Sequence, residues 1–96
     1  MGEKGKNTYE IDICAINEKD NKILFGECKW KDKVNPLEIL KELVEKTKYV
    51  EWNNSDRKEI FAIFTKSFSK KIEEFGGRKV FCFDLKDIDK IINKNI

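Results

Sequence analysis

The chain predicts an α/β domain on a mixed four-stranded sheet, with elements in the order ββαβαβα. Three features carry that expectation: two β-rich runs joined by a polar turn, a helix with its own cap directly afterwards, and the unbroken apolar run Ile60 to Phe64. An uninterrupted run of this kind suits a strand covered on both faces, as in a parallel or mixed sheet.

Tyr9 to Ile16 and Ile23 to Trp30 are the β-rich runs, and Asn17 to Lys22 between them is rich in turn formers, so the pair reads as a hairpin. Asn35-Pro36-Leu37-Glu38 then combines an N-cap asparagine, a proline at the first helical position and a glutamate placed for a capping box. Leu40, Leu43, Val44, Thr47 and Val50 recur at steps of three and four, which gives the helix from Pro36 to Val50 one buried stripe. After the central strand Ile60 to Phe64, Ser67 or Ser69 is placed to cap a short second helix carrying Phe68, Ile72 and Phe75, stopped at Gly76-Gly77. Val80 to Phe83 is the last strand, and Asp84 caps a final helix with Leu85, Ile88, Ile91 and Ile92 inward.

Ninety-six residues fit one domain, 1–96, whose polar start, residues 1–8, is expected to be disordered or the remnant of a missing helix and strand. Twenty basic against 18 acidic residues leave a net charge of +2, so any phosphate binding must come from a local patch. Cys14, Cys28 and Cys82 stand singly in apolar runs, with no CxxC pair, and read as buried thiols of a reducing compartment. No membrane span or signal-peptide core is visible, so the expected location is cytoplasmic, with no membrane partner. The chain contains no histidine, which removes His-based nucleophile systems and His-ligated metals; chemistry here rests on carboxylates and lysines.

Strand alternation puts Glu10, Asp12, Cys14 and Ile16 on one face, and likewise Ile23, Phe25, Glu27 and Lys29. A hairpin closing symmetrically about Lys19-Asp20 sets Ile16 against Ile23, Cys14 against Phe25, Asp12 against Glu27 and Glu10 against Lys29. The other face, with Ile11, Ile13 and Ala15 against Leu24, Gly26 and Cys28, is apolar and expected to lie under a helix. Carboxylates opposed at about 5 Å on a buried sheet repel unless a proton, a cation or a lysine compensates them. Mg²⁺ or Mn²⁺ fits that need, since it takes one or two carboxylates and keeps places for water and phosphate. On this reading Asp12, Glu27 and the Cys28 carbonyl hold the ion. Lys29 orients an attacking water, and Glu10 is either an outer partner of the metal or an ion pair with Lys29. The plain alternative is solvated strand charge. Against it, these four are the only charges within two otherwise apolar strands, and all share one face near one end.

Weaker signals surround this cluster. Lys31 and Lys33, with Lys29, form a basic patch able to hold a nucleic-acid backbone, and Lys66, with Lys70, Lys71 and the two serines, offers another phosphate contact. Ordinary surface charge is the simpler account of the second group. Trp52, Phe61, Phe64, Phe81 and Phe83 read as core.

Glu10-Ile11-Asp12-Ile13 followed by Glu27-Cys28-Lys29 after a hairpin resembles the core signature of the PD-(D/E)XK, or restriction-endonuclease-like, superfamily. More narrowly, EIDICAINE, ILFGECKWKDK and RKEIFAIFTKS, in that order, are similar to the nuclease-like domain of unknown function at the C-terminus of many archaeal AAA-type ATPases. The resemblance implies a restriction-endonuclease-like mixed sheet, Asp12 and Glu27 as metal ligands and Lys29 as the catalytic lysine. It departs from the superfamily pattern ahead of the hairpin, where only Met1 to Thr8 stand in place of a helix and strand, and there is no Gly-rich phosphate loop. Two functions follow as expectations. One is a Mg²⁺- or Mn²⁺-dependent nuclease-like domain that hydrolyses DNA phosphodiester bonds in association with an ATPase. The other is a catalytically inactive DNA-binding or protein-interaction module, serving an ATPase partner or pairing with itself as a homodimer through exposed apolar surface.

Overall fold

The computed structural model describes residues 11–53 and 56–95, so the expectations for residues 1–8, Tyr9 and Glu10 lie outside the described residues. The hairpin closes in the register its turn dictates. β1 (Ile13–Asn17) pairs antiparallel with β2 (Lys22–Lys29), with Ile16 opposite Ile23, Cys14 opposite Phe25 and Ile13 opposite Gly26. Asn17 Oδ1 accepts the Asp20 N–H at 3.1 Å, and Asn21 takes a φ of 56°, a left-handed conformation that asparagine tolerates. Gly26 lets the two strands close: a Cβ there would lie 2.9 Å from the Cβ of Ile13.

α1 (Pro36–Thr47) starts where its cap predicts, with Asn35 Oδ1 accepting the Leu37 N–H at 3.0 Å. Its buried stripe is Ile39, Leu40, Leu43 and Thr47. The crossover returns the chain as β3 (Lys58–Thr65), parallel to β2, which sets Phe61 beside Phe25, Ile63 beside Glu27 and Thr65 beside Lys29.

The predicted second helix is absent. Residues 66–73 run without helix, and their polar groups bond instead to the loop after β2: the Val34 N–H to Ser67 O at 3.0 Å and the Ser69 N–H to Val34 O at 2.9 Å. Ser67 and Ser69 therefore fasten two loops together, with Lys33 N–H donating to Ser67 Oγ at 2.7 Å, rather than capping a helix. Gly76 and Gly77, at φ of 58° and 78°, form the two-residue turn of a small hairpin between β4 (Glu74–Phe75) and β5 (Arg78–Phe83). The order is thus ββαβββα, a five-stranded mixed sheet arranged β1-β2-β3-β5-β4, ending in α2 (Leu85–Asn95).

The core lies on one side of that sheet. Ile23 and Phe25 from β2, Phe61 and Ile63 from β3 and Val80 from β5 meet Ile39, Leu40 and Leu43 of α1. Burial of each such side chain contributes about 1.5–3 kcal/mol. α1 lies on this core side alone and not on the opposite face, which was expected to lie under a helix, and Ile13 and Phe81 on that face are 38% and 41% exposed. Cys14 and Cys28 are exposed rather than buried, one on the edge strand and the other on this open face. Leu85, Ile91 and Ile92 of α2 are likewise about half exposed, at 49%, 50% and 47%. An amphipathic stripe records that a face is apolar, not that another element lies against it. No described helix is long and apolar enough to cross a membrane.

Candidate functional site

Glu27 points to the α1 side because it is in phase with Ile23 and Phe25, and it is 6% exposed. A carboxylate so enclosed needs a counter-charge. Lys46, in the last turn of α1, supplies it with Nζ 2.9 Å from Glu27 Oε1. Sequence reasoning missed this lysine. The signal was there: Ile39, Leu43 and Lys46 follow one another at helical steps of four and three, so the stripe ends in a cation.

Asp12 is exposed and lies just before β1, where the chain bends and Ile11 turns in against the core. Its Oδ2 accepts the Cys28 N–H at 2.9 Å, so a side chain takes the place that a backbone carbonyl would hold in a longer ladder. A strand residue sends its N–H and C=O to the same edge, so the Cys28 carbonyl also leaves on the side of Asp12. The expected register thus brings Asp12 beside the Glu27-Cys28 step of β2, although the two carboxylates differ: one is exposed and bonded to backbone, the other enclosed and bonded to a lysine. Among the described residues no three His, Cys, Asp or Glu side chains converge to hold a metal ion. Two carboxylates and one carbonyl do match the hard oxygen donors that Mg²⁺ accepts while keeping its waters.

Lys29 is exposed at the carboxyl end of β2 and lines a cavity of about 350 Å³ with Lys31, Lys33, Asn35 and Glu38. The loop stitching described above also draws in a fourth basic residue, since the Lys66 N–H donates to Lys31 O at 3.1 Å. Lys29, Lys31, Lys33 and Lys66 therefore gather at the carboxyl ends of the parallel strands β2 and β3, the end of an α/β sheet where ligands bind.

Comparison with known proteins gives a family and a distant relative. The DUF234 family, described as archaea bacterial proteins of unknown function, matches residues 4–60, more than half of the chain. An uncharacterized protein of Methanocaldococcus jannaschii is 38% identical over 80 residues, which cover 81% of this chain and 17% of that relative. The chain thus spans about a sixth of the length of the curated relative it matches. No solved structure matches it.

Proposed function

Because this chain belongs to the DUF234 family, whose function is unknown, we propose from its own residues that it is a nuclease-like domain of the PD-(D/E)XK kind, hydrolysing DNA phosphodiester bonds with Mg²⁺ or Mn²⁺ in association with an ATPase. One observation carries the reading: Asp12 is docked on the Cys28 N–H, at the same end of β2 that bears Glu27 and Lys29. The residues that would hold the ion are Asp12, Glu27 and the Cys28 carbonyl, and the metal would supply Lewis-acid polarisation of the phosphate and an activated water. Lys29 offsets charge developing on phosphorus. Lys31, Lys33 and Lys66 grip the DNA backbone on either side, as point charges without base readout.

A second reading, the inactive binding module, draws on the Glu27–Lys46 pair, since a carboxylate already matched by an ammonium has no need of a metal. Mn²⁺ titration distinguishes the two. An active domain gains melting temperature with Mn²⁺ and nicks plasmid DNA. Asp12→Asn, which can still accept the Cys28 N–H through its amide oxygen, keeps the fold and abolishes both effects. Lys29→Ala keeps the metal-induced shift and loses cleavage. No thermal shift and no nicking in Mn²⁺ would reject the nuclease and leave the binding module.

A further inference from the structure

The sheet face turned away from α1 carries an ordered series of side chains. Alternation places Lys22 of β2, Lys58 of β3 and Lys79 of β5 on it at the end near the first hairpin turn; Lys22 pairs directly with Lys58, and Lys79 is opposite Ile60. Further along the same face come Phe81 and Phe83 of β5 and Phe64 of β3. Their rings are nearly parallel: Phe81 and Phe83 lie 6.1 Å apart at 9°, and Phe83 and Phe64 lie 5.2 Å apart at 16°. The Lys79 ammonium stands 5.4 Å from the centroid of Phe81.

Lys79 has Glu74 opposite it on β4, whereas Lys22 and Lys58 have no such complement among the described residues. Like charges directly opposed across strands repel, and neither Lys22 nor Lys58 meets a carboxylate among the described residues. They line a cavity of about 550 Å³ with Lys79, Arg57 and Arg78, whose one acidic residue, Glu59, is already held between the two arginines. Beside this cationic corner, Phe81 offers a ring 41% exposed to water. A second copy laid face to face would set three lysines against three, with Glu74, opposite Lys79, as the one strand carboxylate to answer them. A double helix would satisfy the lysines but keeps its bases stacked inside. A single strand offers phosphates and free base faces together, and aromatic rings rimmed by cations on an open sheet are a surface on which bases stack.

We propose that this face binds single-stranded nucleic acid, with phosphates on Lys22, Lys58 and Lys79 and bases stacked on Phe81 and the rings beyond it. The surface is on the other side of the sheet from Glu27 and needs no metal, so it stands apart from the catalytic reading. Fluorescence anisotropy of a labelled oligothymidylate of roughly ten nucleotides, titrated in EDTA, tests it. Binding should weaken with salt, its logarithmic slope near about −2 for three phosphate contacts, and Lys58→Gln should reduce that slope by about 0.7. Phe81→Leu keeps an apolar side chain on the strand and should cost on the order of tenfold in affinity. Absence of binding would overturn the proposal, as would duplex binding of equal strength that Phe81→Leu leaves untouched, which is the mark of a charge patch alone. Light scattering supplies the last arm: a dimer in the native chain that Phe81→Leu converts to monomer would assign the face to self-association instead.

Discussion

Arg57 shows how much a single residue can hold. Its side chain is 3% exposed, pairs with Glu59 at 2.9 Å, and donates to the carbonyls of Thr47, Val50 and Trp52 at 2.8, 2.6 and 3.0 Å, the last residue of α1 and two in the segment that follows it. The guanidinium also lies 5.4 Å from the ring centroid of Phe25, so it joins the helix end to the core. Arg57→Met keeps the aliphatic stem and removes every hydrogen bond that the guanidinium gives to these carbonyls, while Glu59 retains Arg78. We expect a loss of about 3 kcal/mol, read from the urea midpoint, with Arg57→Lys in between because an ammonium cannot serve so many acceptors. A change below about 0.5 kcal/mol, the range of an ordinary surface substitution, would mean that these bonds are not made in solution. At this scale the sequence showed where residues face and little of whom they meet. Glu27 was legible because strand alternation is a local rule; the helical stripe that ends in Lys46 shows a cation on the inner face of α1, but not which carboxylate, 19 positions away, it meets.

Elements whose signals are local came out as read: the hairpin register from its turn, and the start of α1 from Asn35 and Pro36. The second helix did not, because Phe68, Ile72 and Phe75 at steps of four and three also suit a loop pinned against the core, and Gly76-Gly77 serves a tight hairpin as readily as a helix stop. What decided between them was the loop after β2, whose backbone bonds to residues 66–69 depend on the crossover and are invisible in the linear pattern. The start of α2 is fixed twice over. Asp84 Oδ1 accepts the Asp87 N–H at 2.9 Å and Asp87 Oδ2 accepts the Asp84 N–H at 3.0 Å, while Lys71 bonds to both carboxylates and ties the helix to the preceding segment. The Lys71 hydrogen bond, foremost among the causes, lowers the Asp87 carboxyl below its ordinary 3.8, and the same bond raises Lys71 above 10.5. A lowered acid stabilises the fold fully above its ordinary value and ceases to as pH falls through the lowered one; a raised base does so fully below its ordinary value and ceases to as pH rises through the raised one. Lys71→Met should therefore cost about 0.2–1 kcal/mol between roughly pH 5 and 9, as expected for a partly exposed pair, and the difference should close toward both extremes. Urea titrations of both proteins at several pH values check this, and a difference that does not vary with pH would refute it.

Across the whole molecule, the unbroken run Ile60 to Phe64 predicted a strand covered on both faces, yet α1 covers only the face of Phe61 and Ile63. Apolar periodicity marks which side chains share a face. It does not count the layers above that face, which is why the central strand was legible and the open side was not. The candidate site was legible for the opposite reason, since Asp12, Glu27 and Lys29 are fixed by one hairpin and need no knowledge of the layers. One-sided packing has an energetic consequence. A chain of about a hundred residues buries roughly three fifths of its unfolded surface, and with a single core layer its unfolding free energy should fall near 5 kcal/mol, the low end for folded domains. Leu43, fully buried on the inner face of α1, should then cost about 2–5 kcal/mol as Leu43→Ala, a large share of the total. Phe81→Ala removes more atoms but from a ring already 41% exposed, so it should cost about 1 kcal/mol, chiefly the lost stacking on Phe83. Urea unfolding of the two variants measures the asymmetry directly. If Phe81→Ala destabilises as much as Leu43→Ala, that face is covered in solution, and both the thin core and the stacking surface built on it are wrong.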